Sequence, residues 1–445
     1  MKQQNNNEIC YCTPILRQSC NDIVFAPAGF YRDTRAINLT EDRRLPNHGS
    51  KDHGLQEQVK QVSRDELKQQ LRAVLADGDR SLCIPPACYA DDRMLALEQR
   101  AVFLSGWVSP GRADRWPKSG DYSALDIAGE PVIVVRNKAG ALKAFANSCR
   151  HRGSRLLAGN GNCKKIKCPF HWWTYDLEGQ LKVYSRMENA IDFNAADYGL
   201  VEFAIAERHG FVWLSFADAP VSIDEWLGDF EDFHRPWDLQ HWRTTRVREF
   251  EVECNWKTFI EVFNEYYHLP MVHPDSINWL YPEPDAADET SGQYTTQFGA
   301  TEGAAALLEQ SQQFALPPAP GLQGREALGT RYTWIYPNIT YALSQDSMWI
   351  YQAFPVFADR CQVIQTICFP AETLALDDFT QRAEYYYERI DAALAEDLPF
   401  LQQQQIGLAS SFARQGRFSA LEPSVARFAY WYAQQMLRQL ERSAD

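Results

Sequence analysis

The chain has 445 residues, with 58 acidic side chains against 44 basic ones and a formal net charge of -14. A field of that sign repels phosphate and argues against nucleic acid as a partner, and no apolar run reaches the about 18 residues that a membrane span needs. The length exceeds one ordinary core and predicts two packed domains.

Residues 1–60 are polar, rich in Gln, Asn and Asp, and read as an extension. Their start, MKQQNNNEICYCTPILRQSC, lacks the apolar core of a secretory signal, so a cytoplasmic location is expected. Residues 61–104 carry two predicted helices that pack on the C-terminal domain. The first begins at a capping box of Ser63 and Glu66, with Val62 and Leu67 as hydrophobic staple and Gly78 as its stop. The second covers Asp91–Phe103. From 105 to 220 the pattern turns to short β-branched runs such as Pro131–Val135 and Phe211–Phe216, separated by Gly and Pro, which predicts a small all-β domain.

Residues 221–445 form a second, α+β domain. A helix follows Trp256 toward His268, and the Pro/Ala/Gly/Ser-rich stretch 282–330 reads as a long loop or lid with a short helix over Glu302–Gln312. Strands return from Arg331 to Pro370, and helices over Asp377–Gln405 and Pro423–Arg442 close the chain. This order predicts an antiparallel sheet covered by C-terminal helices.

The 11 cysteines are an odd number without a regular framework, so buried thiols and metal ligands are expected rather than disulfides. Cys10, Cys12 and Cys20 cluster, but no fourth ligand at matching spacing completes a metal clip. The segment CRHRGSRLLAGNGNCKKIKCPFHWW is different: Cys149-x-His151 and Cys168-x-x-His171 form two Cys/His pairs. Pairs on separate loops can grip a two-iron cluster, one iron taking both thiolates and the other both imidazoles. A zinc site is the alternative, but zinc modules generally pair Cys with Cys and His with His. Cys163, between the pairs, fits neither and reads as a loop thiol.

This block resembles the Rieske domain of the ring-hydroxylating oxygenase family, whose signature is C-x-H, a spacer of similar length, then C-x-x-H. The resemblance implies [2Fe-2S] ligation by Cys149, His151, Cys168 and His171. Trp172 departs from it, because many members have Gly there, before a Trp.

A second constellation lies in CNWKTFIEVFNEYYHLPMVHPDS. On an unbroken helix His268 and His273 would point about 140° apart, and Pro270 removes that obstacle by ending or bending the helix. Two imidazoles and a carboxylate make the facial triad of non-haem ferrous sites. The segment resembles the same family's catalytic domain, where N-W-K precedes a Y-H-x4-H pair. The resemblance implies a carboxylate from a C-terminal helix as third ligand, and AEDLPFLQQQQIGL puts Asp397 in that position, with Asp391 and Glu396 as alternatives. It also implies a catalytic role for Glu265, bridging the iron-ligating His to a cluster His of a neighbouring subunit. Val262 stands near where many members carry Asn, and Glu261 could compensate.

The resemblance therefore implies a small all-β Rieske domain joined to a helix-grip (START-like) catalytic domain. It implies a terminal oxygenase using a [2Fe-2S] cluster, mononuclear Fe(II) and O2, with a head-to-tail homotrimer as the assembly. No G-x-G-x-x-G fingerprint is present, so electrons from NAD(P)H should arrive through a separate reductase. Glu265 and the NEYYHLP run are most similar to the branch acting on small quaternary ammonium compounds such as choline, carnitine and glycine betaine. Trp334, Tyr336, Trp349 and Tyr351 are then expected as aromatic pocket walls. The alternatives are a ring-hydroxylating dioxygenase or O-demethylase of an aromatic acid, a Rieske electron carrier, and a helix-grip lipid-binding module. Bound iron separates the last two, at two irons per chain rather than three.

Overall fold

The first helix, α1 (Arg64–Val74), starts where the capping box predicts: Ser63 Oγ accepts from the Glu66 N–H at 3.2 Å, and Leu67, Leu71 and Val74 turn inward. The computed structural model describes residues 62–76, 82–280 and 284–442. The 1–60 extension, its Cys10, Cys12 and Cys20, and the stop expected at Gly78 lie outside the described residues; α1 itself ends at Val74. Next come α2 (Ala87–Ala90) and α3 (Asp92–Glu98), capped by the Asp91 side chain and continued by a π-helical turn over Gln99–Phe103. The helix expected over Asp91–Phe103 is thus present.

The strands that follow are β1 (Trp107–Arg112), β2 (Asp121–Ile127), β3 (Glu130–Arg136), β4 (Leu142–Ala146), β5 (Asn160–Asn162), β6 (Ile166–Lys167), β7 (Thr174–Tyr175), β8 (Leu181–Val183), β9 (Glu202–Arg208) and β10 (Phe211–Ser215). Seven of them make one sheet in the order β1-β10-β9-β4-β3-β2-β5, and β6-β7-β8 make a small second one. The apolar run of β3 is buried through Val132, Ile133, Val134 and Val135, as a strand covered on both faces must be. This leaves the β4–β5 connection and the β6–β7 turn free to carry Cys149/His151 and Cys168/His171.

After α4 (Ile223–Leu227) and α5 (Phe230–His234), the second domain builds on β11 (Trp242–Val252), followed by α6 (Trp256–Phe263) and α7 (Leu269–Val272). Its sheet is completed by β12 (Tyr294–Ala300), β13 (Gly329–Ile335), β14 (Ile339–Leu343), β15 (Met348–Phe357) and β16 (Arg360–Pro370), in the order β11-β16-β15-β14-β13-β12. Helices α8 (Phe379–Leu408) and α9 (Pro423–Arg442) lie against it. Phe379 and Tyr386 of α8 meet Phe369 of β16, with ring centroids 5.2 Å apart in each case, and Phe428 of α9 stacks on Trp334 of β13 at 3.8 Å. The α+β class, with an antiparallel sheet under C-terminal helices, is as expected.

Three local expectations are corrected. The 282–330 stretch is no open lid: it contains the edge strand β12, and Ala304, Ala305, Ala306 and Leu307 are buried. The helix expected over Glu302–Gln312 is a 3-10 helix at Glu309–Phe314, with Gly303 upstream in left-handed backbone at φ 100°. The helix after Trp256 ends at Phe263, before either histidine, so Pro270 opens α7 instead of breaking α6.

The N-W-K segment anchors α6 from beneath. Asn255 caps the helix through the Lys257 N–H, and its amide group donates to the carbonyls of Tyr89 and Ala358. Lys257 is fully buried, with Nζ 2.7 Å from Glu98 Oε1 and 2.8 Å from the Cys88 carbonyl. A buried ammonium is tolerable only when paired in this way, and the pair fixes α6 to the N-terminal helices.

Candidate metal centres and substrate pocket

The two Cys/His loops of the β-domain meet tip to tip. His151 and His171 face each other with Nδ1 atoms 3.2 Å apart, while Cys149 and Cys168 lie buried beneath them. Backbone bonds shape each loop: the Cys149 N–H donates to Ser154 O at 2.9 Å and the Cys168 N–H to Trp173 O at 2.8 Å. Tyr175 Oη sits 3.4 Å from Cys149 Sγ and accepts from the Arg150 N–H. Burial, with the His171 ring beside it, holds His151 below the ordinary imidazole value, so it is neutral near pH 7 with a lone pair to offer. Burial also pushes the Cys149 thiol up, with the Cys168 thiol adding to the rise. Paired thiols below and paired imidazoles above are the donor set that one cluster with chemically distinct irons requires. Cys163 is buried in the hydrophobic cluster beneath.

Trp172 has φ 63°, a left-handed backbone that costs a side-chain-bearing residue about 1–2 kcal/mol and a glycine almost nothing. This is the physical reason for glycine at the position, and the indole here is exposed with Lys167 Nζ 3.6 Å from its ring centroid. Because Trp172→Ala keeps the strain and loses the indole, Trp172→Gly should be more stable than Trp172→Ala by about 1 kcal/mol. Chemical denaturation followed at the cluster's visible absorption checks this, and equal midpoints would contradict it.

In the second domain α6, α7 and α8 converge. His268 precedes α7, His273 caps its C-terminal end, and Asp397 projects from α8. The ligand atoms of His268, His273 and Asp397 all lie within 4.8 Å of one another. Asp397 Oδ1 is 2.9 Å from His273 Nε2 and 3.7 Å from His268 Nε2, yet this buried oxygen has no hydrogen bond of good geometry. A buried, unsatisfied carboxylate oxygen aimed between two imidazole nitrogens suits a cation.

Each imidazole is fixed from behind. Glu265 Oε1 lies 2.5 Å from His268 Nδ1, and Glu396 Oε2 lies 2.6 Å from both His273 Nδ1 and Ser276 Oγ. Carboxylates holding Nδ1–H turn Nε2 and its lone pair toward the metal position. Burial works against charge on His273, but the Asp397 and Glu396 carboxylates outweigh it and raise its pKa.

Of the alternative carboxylates, Asp391 is engaged by Arg246 and Arg248 and points away from the histidines. Glu396 stands behind His273, an orienting role that sequence reasoning missed. Its only signal is adjacency to Asp397. Glu265 reaches His268 as expected, but across the irregular chain after α6 and not along a helical face. Glu261 is buried against the Tyr89 hydroxyl at 2.7 Å, and that burial pushes its carboxyl up to about 7.

A cleft of about 660 Å³, open in part to solvent, leads to the three ligand atoms. Phe263, Tyr266, Tyr332, Trp349 and Tyr351 line it. Trp349 and Tyr351 thus sit where pocket walls were expected. Trp334 and Tyr336 do not: they stack with Phe428 and Trp431 in the core under α9. Tyr332 and Trp334, two apart on β13, share a face, so the split lies along the strand: Phe428 of α9 covers that face at Trp334, while Tyr332 lines the cleft. Among the described residues no helix is long and apolar enough to cross a membrane.

Residues 106–195 match the family described as the Rieske [2Fe-2S] domain, and residues 239–438 match the ring hydroxylating alpha subunit (catalytic domain). Over 406 residues the chain is 27% identical to a glycine betaine monooxygenase oxygenase subunit of Pseudomonas aeruginosa, covering 83% of this chain and 93% of that protein. It is 36% identical over 228 residues to the same-named subunit of Chromohalobacter salexigens, covering 51% and 50% respectively. A solved quaternary ammonium Rieske monooxygenase shares the fold at TM-score 0.69 and 21% identity, with 83% of this chain and 98% of that one covered.

Proposed function

The chain belongs to the Rieske oxygenases, oxidoreductases whose alpha subunits join a [2Fe-2S] domain to a mononuclear non-haem iron domain, and from that premise we propose that it hydroxylates an N-methyl group of a small quaternary ammonium compound. O2, two electrons and two protons give the N-hydroxymethyl product and water, and the product collapses to formaldehyde and the demethylated amine. The observation that carries this reading is the pocket: a lining of aromatic rings beside the three ligand atoms, with Glu265 and Asp397 as carboxylates on its wall. Aromatic faces attract an ammonium group without hydrogen-bonding it, which suits a group that has no N–H to donate. The names of the relatives above point to the same chemistry.

Cys149, His151, Cys168 and His171 would hold the cluster, and His268, His273 and Asp397 the ferrous ion. A one-electron cluster paired with an open ferrous site supplies the reduction of O2. Glu265 and Glu396 keep both imidazoles in the metal-binding tautomer, and the apolar lining of the cleft limits water around the reacting methyl group.

Electrons would come from a separate NAD(P)H-dependent reductase. We place the chain in a head-to-tail homotrimer in which one copy's cluster faces the next copy's iron. Exposed apolar residues flank both ends of that relay, with Phe170 58% and Trp172 59% accessible beside His171, and Tyr267 51% and Met271 69% accessible beside His268. Such patches are unusual on a free surface and suit contact between copies.

Protein prepared without oxygen, then supplied with a Rieske-family reductase and NADH, should release formaldehyde with one of glycine betaine, carnitine or choline. The same panel includes methoxylated and plain aromatic acids. Oxidation of an aromatic acid with every ammonium compound silent would replace this reading with that of a ring hydroxylase or O-demethylase.

A further inference from the structure

Trp172 keeps a large side chain where the backbone favours glycine. Its φ is 63°, yet the indole is 59% accessible, so no burial in the core offsets the strain. Strain of this kind beside a functional site points to a use at the surface. Lys167 Nζ lies 3.6 Å from the indole centroid and steadies the ring, and the exposed Phe170 ring lies 3.8 Å from the His171 imidazole. A steadied, outward aromatic is the kind of side chain on which binding energy concentrates.

The charge around these rings is opposite in sign to that of the whole chain. Residues 150–186 hold eight Lys and Arg against two Asp and Glu, in a chain of net charge -14. Arg150, Arg152, Lys164, Lys165, Lys182 and Arg186 among them are exposed. Around His268 and His273 the balance reverses: residues 258–324 hold nine Asp and Glu and neither Lys nor Arg. Glu265 is bonded to His268 there, and Asp275 is exposed two residues after His273, with Tyr267 and Met271 exposed on the same segment. A basic, aromatic tip thus complements an acidic segment that also shows apolar side chains.

We propose that Trp172 anchors the contact between copies: it seats on the acidic segment around His268 and His273 of a second copy of this chain, steered there by the basic residues beside it. This rests on the head-to-tail reading and deepens it by naming the side chain that holds the copies together. An anchor one residue from His171 fixes how near the cluster of one copy comes to the iron of the next. The backbone strain at Trp172 is then the cost of placing an indole at that spot.

The test is sedimentation of the iron-loaded protein over a range of concentration and salt, for the native chain, Trp172→Gly, Trp172→Phe and the double variant Lys164→Glu/Lys165→Glu. Glycine relieves the strain at 172, so a defect in that variant is not one of folding, and the cluster spectrum and iron content check this. Trp172→Gly should nonetheless weaken association between copies by about 10- to 100-fold, and Trp172→Phe should recover most of the loss. The charge reversal should weaken it too, as should raising salt from about 0.1 M to about 1 M for the native chain. Association of Trp172→Gly no weaker than native would overturn the anchor and leave the head-to-tail reading in place. Indifference to both salt and charge reversal would overturn the steering by basic residues. A native protein that oxidises substrate as a monomer would overturn the head-to-tail reading itself. If Trp172→Gly assembled normally but took electrons slowly from the reductase, the face would belong to the electron donor and the proposal would fall.

Discussion

Asp397→Ala is expected to lower bound iron from three per chain to two and to bring substrate oxidation down to background. The two remaining irons should keep the visible spectrum of a Rieske cluster, because Cys149, His151, Cys168 and His171 lie in the other domain. The reasoning starts from Asp397 Oδ1, buried, without a good hydrogen bond, and 2.9 Å from His273 Nε2. Without this oxygen two imidazoles remain, and two neutral donors with no charge hold Fe(II) weakly. Glu396→Gln should act differently. It removes the charge behind His273 but not a ligand, so iron should still bind, about 10- to 100-fold more weakly. Iron quantification after dialysis against a graded chelator separates the two. If Asp397→Ala kept three irons while Glu396→Gln lost one, the ligand assignment would move by one residue along α8.

The contrast between these neighbours also shows what a sequence can carry. The candidate ligands are legible because metal chemistry demands particular residue types at particular spacings: Cys149-x-His151, Cys168-x-x-His171 and the His268/His273 pair stand out without a structure. The reason that His268 and His273 converge was not legible. A proline between them suggested a broken helix, whereas α6 ends at Phe263 and the chain turns through Asn264–Tyr267 before α7 begins. Glu396 was visible only as an alternative to Asp397, because adjacent residues on a helix differ by about 100° and sequence does not say which faces the metal. The strands β11 and β12 were passed over for a related reason. WRTTRVREFEV carries charges on its half-exposed face, and YTTQFGA is polar although its first six residues are buried, so neither shows the apolar run that marks a central strand. Trp334 and Tyr336 are not pocket walls because α9 covers their end of the sheet face that Tyr332 shares with the cleft, and sequence does not say where along a face a helix lies.

Glu265→Gln should leave three irons bound and yet slow substrate-dependent turnover by about 100-fold. The glutamine side chain is the same size, and its carbonyl oxygen can still accept from His268 Nδ1–H, so ring orientation and metal binding survive. What disappears is the negative charge 2.5 Å from that nitrogen and the strong acceptor for the backbone N–H groups of Tyr267 and His268. A neutral acceptor makes the imidazole a poorer donor and removes a hydrogen-bonded anion from the route proposed for electrons between cluster and iron. Two rates locate the defect. Reduction of the cluster by reductase should match the native protein, because His151 and His171 are untouched. Reoxidation of the reduced cluster by O2 with substrate bound should carry the whole loss. Glu265→Asp should restore part of the rate, because it keeps the charge on a shorter arm. If the glutamine variant reoxidised at the native rate, Glu265 would be a structural support of the segment between α6 and α7. If it lost its mononuclear iron, the carboxylate would matter for holding the metal before it mattered for the electron.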